Sequence, residues 1–142
     1  MKWSLVALVL IVFSAVANAG DTVVRVTVTG IKGRAGKIRC MLYEKERGFP
    51  DKPKLAARRV EAPIAKNRAV CIFKGVRAGR YAVSAFHDQD NDKRLDTNFL
   101  GIPSEGIAVS NNAKGRFGPP KFRDALFSVT SKGFSQFVKL KY

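Results

Sequence analysis

The sequence VRVTVT at residues 24–29 shows the dominant pattern of this chain. Val24, Val26 and Val28 alternate with polar residues, and Gly30 ends the run. Alternation with a period of two places the three valines on one face of an extended strand. The same pattern recurs at residues 37–42, 57–61, 69–73, 81–87, 125–129 and 138–142. About seven short strands with glycine-rich turns and no convincing helix predict an all-β fold, an antiparallel β-sandwich.

The N-terminus has the features of a signal peptide. Lys2 precedes an apolar run over residues 5–16, and Ala17-Asn18-Ala19 supplies a small-x-small cleavage pattern. The run is about 12 residues long, whereas a bilayer-spanning helix needs roughly 20. We therefore predict a signal peptide over residues 1–19 and one β-sandwich domain over residues 20–142. An uncleaved N-terminal anchor is the alternative.

This leader predicts an exported protein, in the periplasm or outside the cell, that does not span the membrane once the leader is removed. The chain has 26 basic and 11 acidic side chains; removal of Lys2 with the leader leaves 25 basic ones and a net charge of +14. A charge this positive first suggests a nucleic-acid-binding protein. Export argues against nucleic acid as the partner, because chromosomes and transcripts are inside the cytoplasm. Anionic envelope polymers or lipid head groups are the expected partners. The alternative is that Lys and Arg merely protect the sheet edges from pairing with other chains.

Two cysteines, Cys40 and Cys71, lie in separate alternating runs. In an oxidising compartment such a pair predicts one disulfide bond. Two buried free thiols are the alternative. Two cysteines and a single histidine do not make an ordinary four-ligand zinc site.

The most distinctive local feature is the acidic segment at residues 87–96, HDQDNDKRLD. Its aspartates occupy positions 1, 3, 5 and 9 of an EF-hand-like loop, in which position 7 contributes a backbone carbonyl. The segment therefore predicts a Ca²⁺ site made by Asp88, Asp90, Asp92, the carbonyl of Arg94, and Asp96.

Two positions depart from the EF-hand pattern. Lys93 stands where the loop needs glycine, and Phe99 stands where it needs a bidentate glutamate. A last ligand would have to come from Asn98, Glu105 or a backbone carbonyl. The alternative is a solvated loop in which Lys93 and Arg94 neutralise the aspartates.

His87 is the only histidine and adjoins Asp88. A hydrolase acting on an envelope polymer, with His87 and a loop carboxylate as acid and base, is therefore an alternative function. The chain has no Gly-x-Ser-x-Gly elbow, and one histidine cannot supply a three-ligand catalytic metal site. A structural histidine and a binding or structural module without catalysis are favoured.

A second candidate ligand loop lies in residues 110–124, where basic and aromatic side chains are mixed with turn formers. Its candidate contact residues are Arg116, Phe117, Lys121, Phe122 and Arg123. They could hold an anionic or ring-bearing ligand. Alternatively, the two phenylalanines close one end of the sandwich.

An ordered set of motifs extends over most of the exported part and is densest over residues 79–127. The motifs are Gly79-Arg80-Tyr81-Ala82-Val83, Phe86-His87-Asp88, Leu95-Asp96-Thr97-Asn98, Gly101-Ile102-Pro103-x-Glu105-Gly106, Ser110-Asn111-Asn112 and Pro120-x-Phe122-x-x-Ala125. This set resembles the domain of unknown function 2141 family of exported bacterial proteins. The resemblance implies a sandwich similar to transthyretin-like and immunoglobulin-like domains, and it implies no activity. Members often have glycine where this chain has Asn91 and Lys93.

Overall fold

A computed structural model describes residues 22–142, so the predicted signal peptide over residues 1–19 lies outside the described residues. The described part is built mainly from eight strands: β1 (Val23–Thr29), β2 (Lys37–Tyr43), β3 (Arg58–Ala62), β4 (Ala69–Lys74), β5 (Gly79–Asp88), β6 (Ile107–Val109), β7 (Phe127–Val129) and β8 (Phe134–Lys139). One helical turn, α1 (Phe122–Ala125), and two 3-10 turns, Pro53–Leu55 and Ser110–Asn112, complete the secondary structure of these residues.

The strands form two sheets, as a sandwich requires. One sheet has the order β4-β1-β8, and the other has the order β3-β2-β5-β6, with β7 also paired to β5. Every strand pair is antiparallel except β1 and β8, which run parallel with Val24 opposite Phe134. The predicted fold class is confirmed, with eight strands rather than about seven.

Three elements differ from the expected boundaries. β6 lies inside the connection at residues 88–123, where three residues are too few to show an alternation. Ala125 belongs to α1 rather than to the following strand, although its buried side chain continues the alternation of Phe127 and Val129. β8 spans Phe134–Lys139 instead of the expected residues 138–142. Residues 134–137 show no alternation, and they belong to the strand because they pair with β1.

The main core lies between the two sheets. The valines of β1, at positions 24, 26 and 28, are fully buried there, as the alternation predicts. Cys40 on β2 and Cys71 on β4 form a disulfide bond across this core, with their Cα atoms 6.4 Å apart. The predicted pairing is therefore confirmed.

A second, smaller apolar cluster covers the outer face of the five-stranded sheet. Met41, Tyr43 and Phe86 are buried there, beneath Phe49 and other half-buried side chains, among them Leu95 and Phe122. This cover explains why β5 is buried on both faces from Tyr81 to Asp88. None of the helices within residues 22–142 has the length and apolar character needed to cross a membrane.

Candidate metal centre

The acidic loop begins at Asp88, the last residue of β5, whose side chain is completely buried. Its Oδ2 accepts hydrogen bonds from the Arg39 guanidinium and, at 3.1 Å, from the backbone N–H of Lys93. Its Oδ1 is buried and has no hydrogen-bond partner. A buried carboxylate oxygen without a partner is costly, and such groups are rare in folded proteins. This orphaned oxygen is the feature that sets the site apart from an ordinary surface loop.

A glycine holds the backbone of Asp88 against the start of β2. Gly36 has a φ of +74°, and a Cβ built on it would lie 1.8 Å from the carbonyl oxygen of Asp88. Only glycine fits there, for reasons of both backbone conformation and space. Asp88 is thus fixed by a β-ladder, a guanidinium and a close backbone contact before any cation is considered.

The second buried carboxylate is Glu105, which is 4% exposed and lies just before β6. Its Oε1 accepts the backbone N–H of Gln89 at 3.0 Å, and its Oε2 accepts that of Asp96 at 3.2 Å. Glu105 therefore ties the start of the acidic loop to its end. Each carboxylate oxygen keeps a further lone pair, so these two bonds do not prevent either oxygen from coordinating a cation.

The carboxylates converge in two overlapping groups. One oxygen each from Asp88, Asp90 and Glu105 lie within 4.8 Å of one another, and so do one each from Asp90, Asp92 and Asp96. Ligand oxygens on opposite sides of a Ca²⁺ ion are about 4.6–5.2 Å apart, twice the usual bond length. The spacing therefore suits a hard divalent cation, and Asp90 is common to both groups.

The backbone of the loop turns as an EF-hand-like segment needs to, despite its missing glycines. Asn91 has a φ of +57° and Lys93 a φ of +66°, both in the left-handed region. The Asp90 and Asp92 side chains accept the backbone N–H groups of Asp92 and Arg94, at 3.2 and 2.7 Å, and so support the turn. The positions where the resembled family often has glycine are thus the ones that carry positive φ here.

Two aspartates have shifted pKa values, in opposite directions. Burial alone would raise the pKa of Asp88, but the hydrogen bonds from Arg39 and Lys93 and the charge of Arg39 outweigh it and lower that pKa. Burial also raises the pKa of Asp96, and the neighbouring carboxylates of Asp90, Asp92 and Glu105 raise it further. The site therefore contains one firmly ionised carboxylate and one that its neighbours repel, a repulsion that a bound cation would relieve.

The structure brings together the four aspartates predicted from the sequence and adds Glu105, one of the alternatives for the last ligand. Phe99 is fully exposed and has no ligand atom, and Asn98 instead binds backbone N–H groups of its own hairpin. Arg94 is exposed at the expected position of the carbonyl ligand. Sequence spacing could not select Glu105, because it lies nine residues beyond Asp96 and approaches only when the chain folds back.

His87 is completely buried, and both ring nitrogens have partners. Nε2 lies 2.7 Å from the carbonyl oxygen of Ala35 and must donate to it, so in the neutral ring Nδ1 accepts the Tyr142 hydroxyl, also at 2.7 Å. That hydroxyl in turn accepts the backbone N–H of Lys32 at 2.9 Å. These contacts join β5 to the C-terminus and leave neither ring nitrogen free for proton transfer.

The second candidate ligand loop divides into two parts. Phe122 packs against Phe49, with ring centroids 5.6 Å apart, so it serves as part of the outer apolar cluster. Arg123 is exposed and lies 3.8 Å from Asp124. Arg116, Phe117 and Lys121 are exposed and line an open cavity of about 540 Å³.

A basic groove, which the sequence pattern did not reveal, adjoins the acidic loop. Its cationic side chains are Arg39, Lys54, Arg59 and Lys93, around a cavity of about 390 Å³ with Met41 and Phe86 in its floor. Arg39 also pairs with Glu61, at 2.8 Å. These cations come from β2, the Pro53–Leu55 turn, β3 and the acidic loop, so only the tertiary structure brings them together.

Comparison with known proteins identifies a family and nothing narrower. No curated protein and no solved structure matches the chain. A family model described as an uncharacterized protein conserved in bacteria, DUF2141, matches residues 26–136 and so covers the acidic loop and both sheets. With most of its length inside that match, and with the motifs of residues 79–125 in place, the chain belongs to the DUF2141 family.

Proposed function

We propose that this protein is an exported, non-catalytic binding or structural module of the bacterial envelope whose acidic loop is held in shape by one Ca²⁺ ion. The leader-like N-terminus supports export. The disulfide bond between Cys40 and Cys71 agrees with an oxidising compartment.

The observation that carries the proposal is the buried carboxylate of Asp88, which has an unpartnered Oδ1 and contributes one oxygen to a cluster with Asp90 and Glu105. A cation bound at this cluster would offset the repulsion among five carboxylates. Asp88, Asp90 and Glu105 would be the inner ligands. Asp92, Asp96 and the carbonyl of Arg94 are available to complete the shell.

Ca²⁺ fits this donor set better than Mg²⁺ does. The candidate donors are all carboxylate and carbonyl oxygens, six in number, which suits the six to eight oxygen ligands and variable geometry of Ca²⁺. Mg²⁺ prefers strict octahedral geometry and keeps several waters. Calcium-binding modules outside the cytoplasm have dissociation constants of about 10⁻⁴–10⁻³ M, and the positive charge of Lys93 favours a value in that range.

The hydrolase alternative finds no support at His87, because both ring nitrogens are engaged by Ala35 and Tyr142. A general acid or base must reach its substrate with a free nitrogen. The loop carboxylates would then act as cation ligands rather than as catalytic partners of the histidine.

The test is a thermal melt of the purified protein in millimolar Ca²⁺ and in chelator. With Kd of about 10⁻⁴–10⁻³ M, about 10 mM Ca²⁺ is a tenfold to hundredfold excess and stabilises the folded state by about 1.4–2.7 kcal/mol, which raises Tm by several degrees for a domain of this size. Asp90→Asn should abolish the rise, because Asp90 belongs to both carboxylate groups. Equilibrium dialysis against radiolabelled Ca²⁺ over the range of about 0.1–10 mM should saturate near one bound ion per chain.

Asp51→Asn is the matched control, since Asp51 is an exposed carboxylate outside the loop. That variant should keep the full Ca²⁺-dependent rise in Tm. An absent rise in the wild-type protein, or an unchanged rise in Asp90→Asn, would contradict the cation site. Mg²⁺ at the same concentration should give the smaller shift.

A further inference from the structure

The segment between Asp96 and Glu105 forms a hairpin whose ends are held at the acidic loop. Thr97 and Pro103 are bridged across it, and the Ser104 N–H donates to the carbonyl of Asp96 at 2.9 Å. We call residues 97–103 the apolar hairpin, for the side chains at its tip.

Three large apolar side chains are exposed on this hairpin. Phe99 is 96% exposed, Leu100 68% and Ile102 55%. Of the nine exposed large hydrophobic side chains among the described residues, three therefore fall within four consecutive positions. Single exposed apolar residues are ordinary, whereas such a concentration marks an interaction site.

The backbone of the hairpin is already hydrogen-bonded within itself. The Asn98 side chain accepts the N–H groups of Leu100 and Ile102, at 2.9 and 3.1 Å. The N–H of Asn98 donates to Ile102 at 2.8 Å, and that of Gly101 donates to Asn98 at 2.9 Å. A loop can enter an apolar phase only when its polar backbone groups are satisfied, and four of the N–H groups here are.

The charge of the rest of the domain favours an anionic surface. Residues 22–142 contain 25 basic and ten acidic side chains, of which two basic and five acidic ones lie in residues 88–105. That leaves 23 basic against five acidic side chains elsewhere. Lys93 lines the basic groove and Leu95 packs into the outer apolar cluster, so the chain leading into the hairpin runs along the same outer face.

We propose that the apolar hairpin docks the protein onto an anionic lipid bilayer, with Phe99 and Leu100 entering the interfacial region. Interfacial binding is driven by buried apolar area together with attraction of basic side chains to anionic lipids, and this molecule offers both. A protein partner is less suited, because a specific interface buries about 800 Å² on each side and the narrow tip presents only three side chains. An envelope polysaccharide offers these side chains no apolar phase to enter.

This inference rests on the proposed function, since export would bring the protein to an envelope membrane and a cation would hold the base of the hairpin. Both Glu105 and Asp96 fix that base and belong to the carboxylate groups. Neutralising those carboxylates also removes the repulsion between the loop and anionic head groups. Ca²⁺ should therefore strengthen docking.

The test is sedimentation with vesicles of phosphatidylglycerol and phosphatidylcholine, compared with pure phosphatidylcholine, in Ca²⁺ and in chelator. The wild type should bind the anionic vesicles, less so in chelator and in high salt. The double variant Phe99→Ser with Leu100→Ser should bind at least about tenfold more weakly, because it loses two apolar side chains. Phe137→Ser is the matched control: Phe137 is also an exposed aromatic residue, on β8 of the other sheet and outside both candidate ligand loops, and its loss should leave binding unchanged.

A fluorescence measurement locates the docking residue directly. Trp3 is the only tryptophan, so the exported form has none, and Phe99→Trp supplies a single reporter. The emission of Phe99→Trp should shift to the blue with anionic vesicles, whereas that of the control Phe137→Trp should not. An intact-mass measurement of the purified protein should first establish that residues 1–19, and with them Trp3, are absent from the sample.

The proposal is overturned if the double variant binds like the wild type, if the wild type binds neither vesicle, or if the emission of Phe137→Trp shifts and that of Phe99→Trp does not. It is also overturned if the double variant instead converts a dimer to a monomer without affecting vesicle binding. If Ca²⁺ raises Tm but vesicle binding is equal in Ca²⁺ and in chelator, then the claim that Ca²⁺ strengthens docking is wrong. Docking that depends on Phe99 in a protein without any Ca²⁺ melting shift would refute the cation site and leave the docking hairpin standing.

Discussion

The buried side chain of Asp88 belongs both to the packed fold and to the candidate cation site. Its Oδ2 is held by Arg39 and Lys93, its Oδ1 has no hydrogen-bond partner, and one of its oxygens lies in a cluster with Asp90 and Glu105. The same residue therefore contributes to stability and is a ligand in the proposed cation site. Its lowered pKa reflects the first of these roles.

The pKa shift predicts how stability depends on pH. Because the folded-state pKa of Asp88 lies below the unfolded value, its contribution is present above the unfolded pKa, near 4, and is lost as pH falls through the folded pKa. In chelator at pH 7, Asp88→Asn should lower the free energy of unfolding by about 3 kcal/mol, since it breaks a buried pair. At pH 2–3 the difference from the wild type should become small.

Denaturant unfolding at both pH values measures this difference. Asp124→Asn serves as the control, because Asp124 is exposed and makes only a 3.8 Å surface contact with Arg123. Its effect on the free energy of unfolding should stay below about 1 kcal/mol at both pH values. A cost of Asp88→Asn that persisted undiminished at low pH would rule out an ionic role for Asp88.

Among the elements, the acidic loop is shaped by its backbone as much as by its charges. Asn91 tolerates positive φ well, because its short amide side chain can bond locally. Lys93 has no such compensation and adds a positive charge beside the carboxylates. The loop thus adopts the turn with strain at Lys93, whose charge would also weaken cation binding at the proposed site.

Lys93→Gly should remove both effects. We expect the free energy of unfolding in chelator to rise by about 0.5–1 kcal/mol, from release of left-handed strain less the added flexibility of glycine. We also expect the Ca²⁺-dependent rise in Tm to grow and the half-saturating Ca²⁺ concentration to fall severalfold. Thermal melts across a Ca²⁺ titration measure both effects.

Lys66→Gly is the matched control, because Lys66 also has a positive φ, of +51°, in the turn between β3 and β4. It should give a similar gain in chelator without changing the response to Ca²⁺. Equal changes in Ca²⁺ response for the two variants would show that Lys93 has no electrostatic effect on the site.

In the whole molecule, two sheets that carry different surface features pack against one main core. The five-stranded sheet carries the acidic loop, the basic groove and the outer apolar cluster, whereas the β4-β1-β8 sheet closes the core from behind. The bond between Cys40 and Cys71 is the covalent link between the two sheets, over a sequence separation of 31 residues.

Removing this bond should destabilise the whole domain. A loop of that length restricts the unfolded chain by about 3–4 kcal/mol on the chain-entropy model. The double variant Cys40→Ala with Cys71→Ala should lose about that much, and reducing agent should do the same to the wild type but nothing further to the variant. Titration of the unreduced, denatured wild type should find no free thiol; two thiols per chain would contradict the bond.

Alternation of apolar and polar residues was enough to predict the fold class, the inward residues of β1 and the strands that carry the two cysteines. A period of two encodes which face of a strand is buried, and this information is local. The spacing of the four aspartates in the acidic loop was also visible in the sequence, because side chains that converge within one tight loop are close neighbours in the chain. The alternation missed β6 and the start of β8, where pairing with other strands extends segments too short or too irregular to show the pattern.

The groups that lie beside the acidic loop could not be predicted from the sequence, because they approach it through long-range folding. Glu105, Arg39 and the cations of the basic groove come from distant segments, and their approach depends on how β2, β3, β5 and the returning chain pack together. The hydrogen bonds of His87 to Ala35 and Tyr142 likewise join residues that are distant in sequence. The exposure of Phe99 at the tip of the apolar hairpin also depends on how the chain folds around it. Sequence periodicity reports which face of an element is buried, whereas contacts between elements depend on side chains brought together by the whole fold.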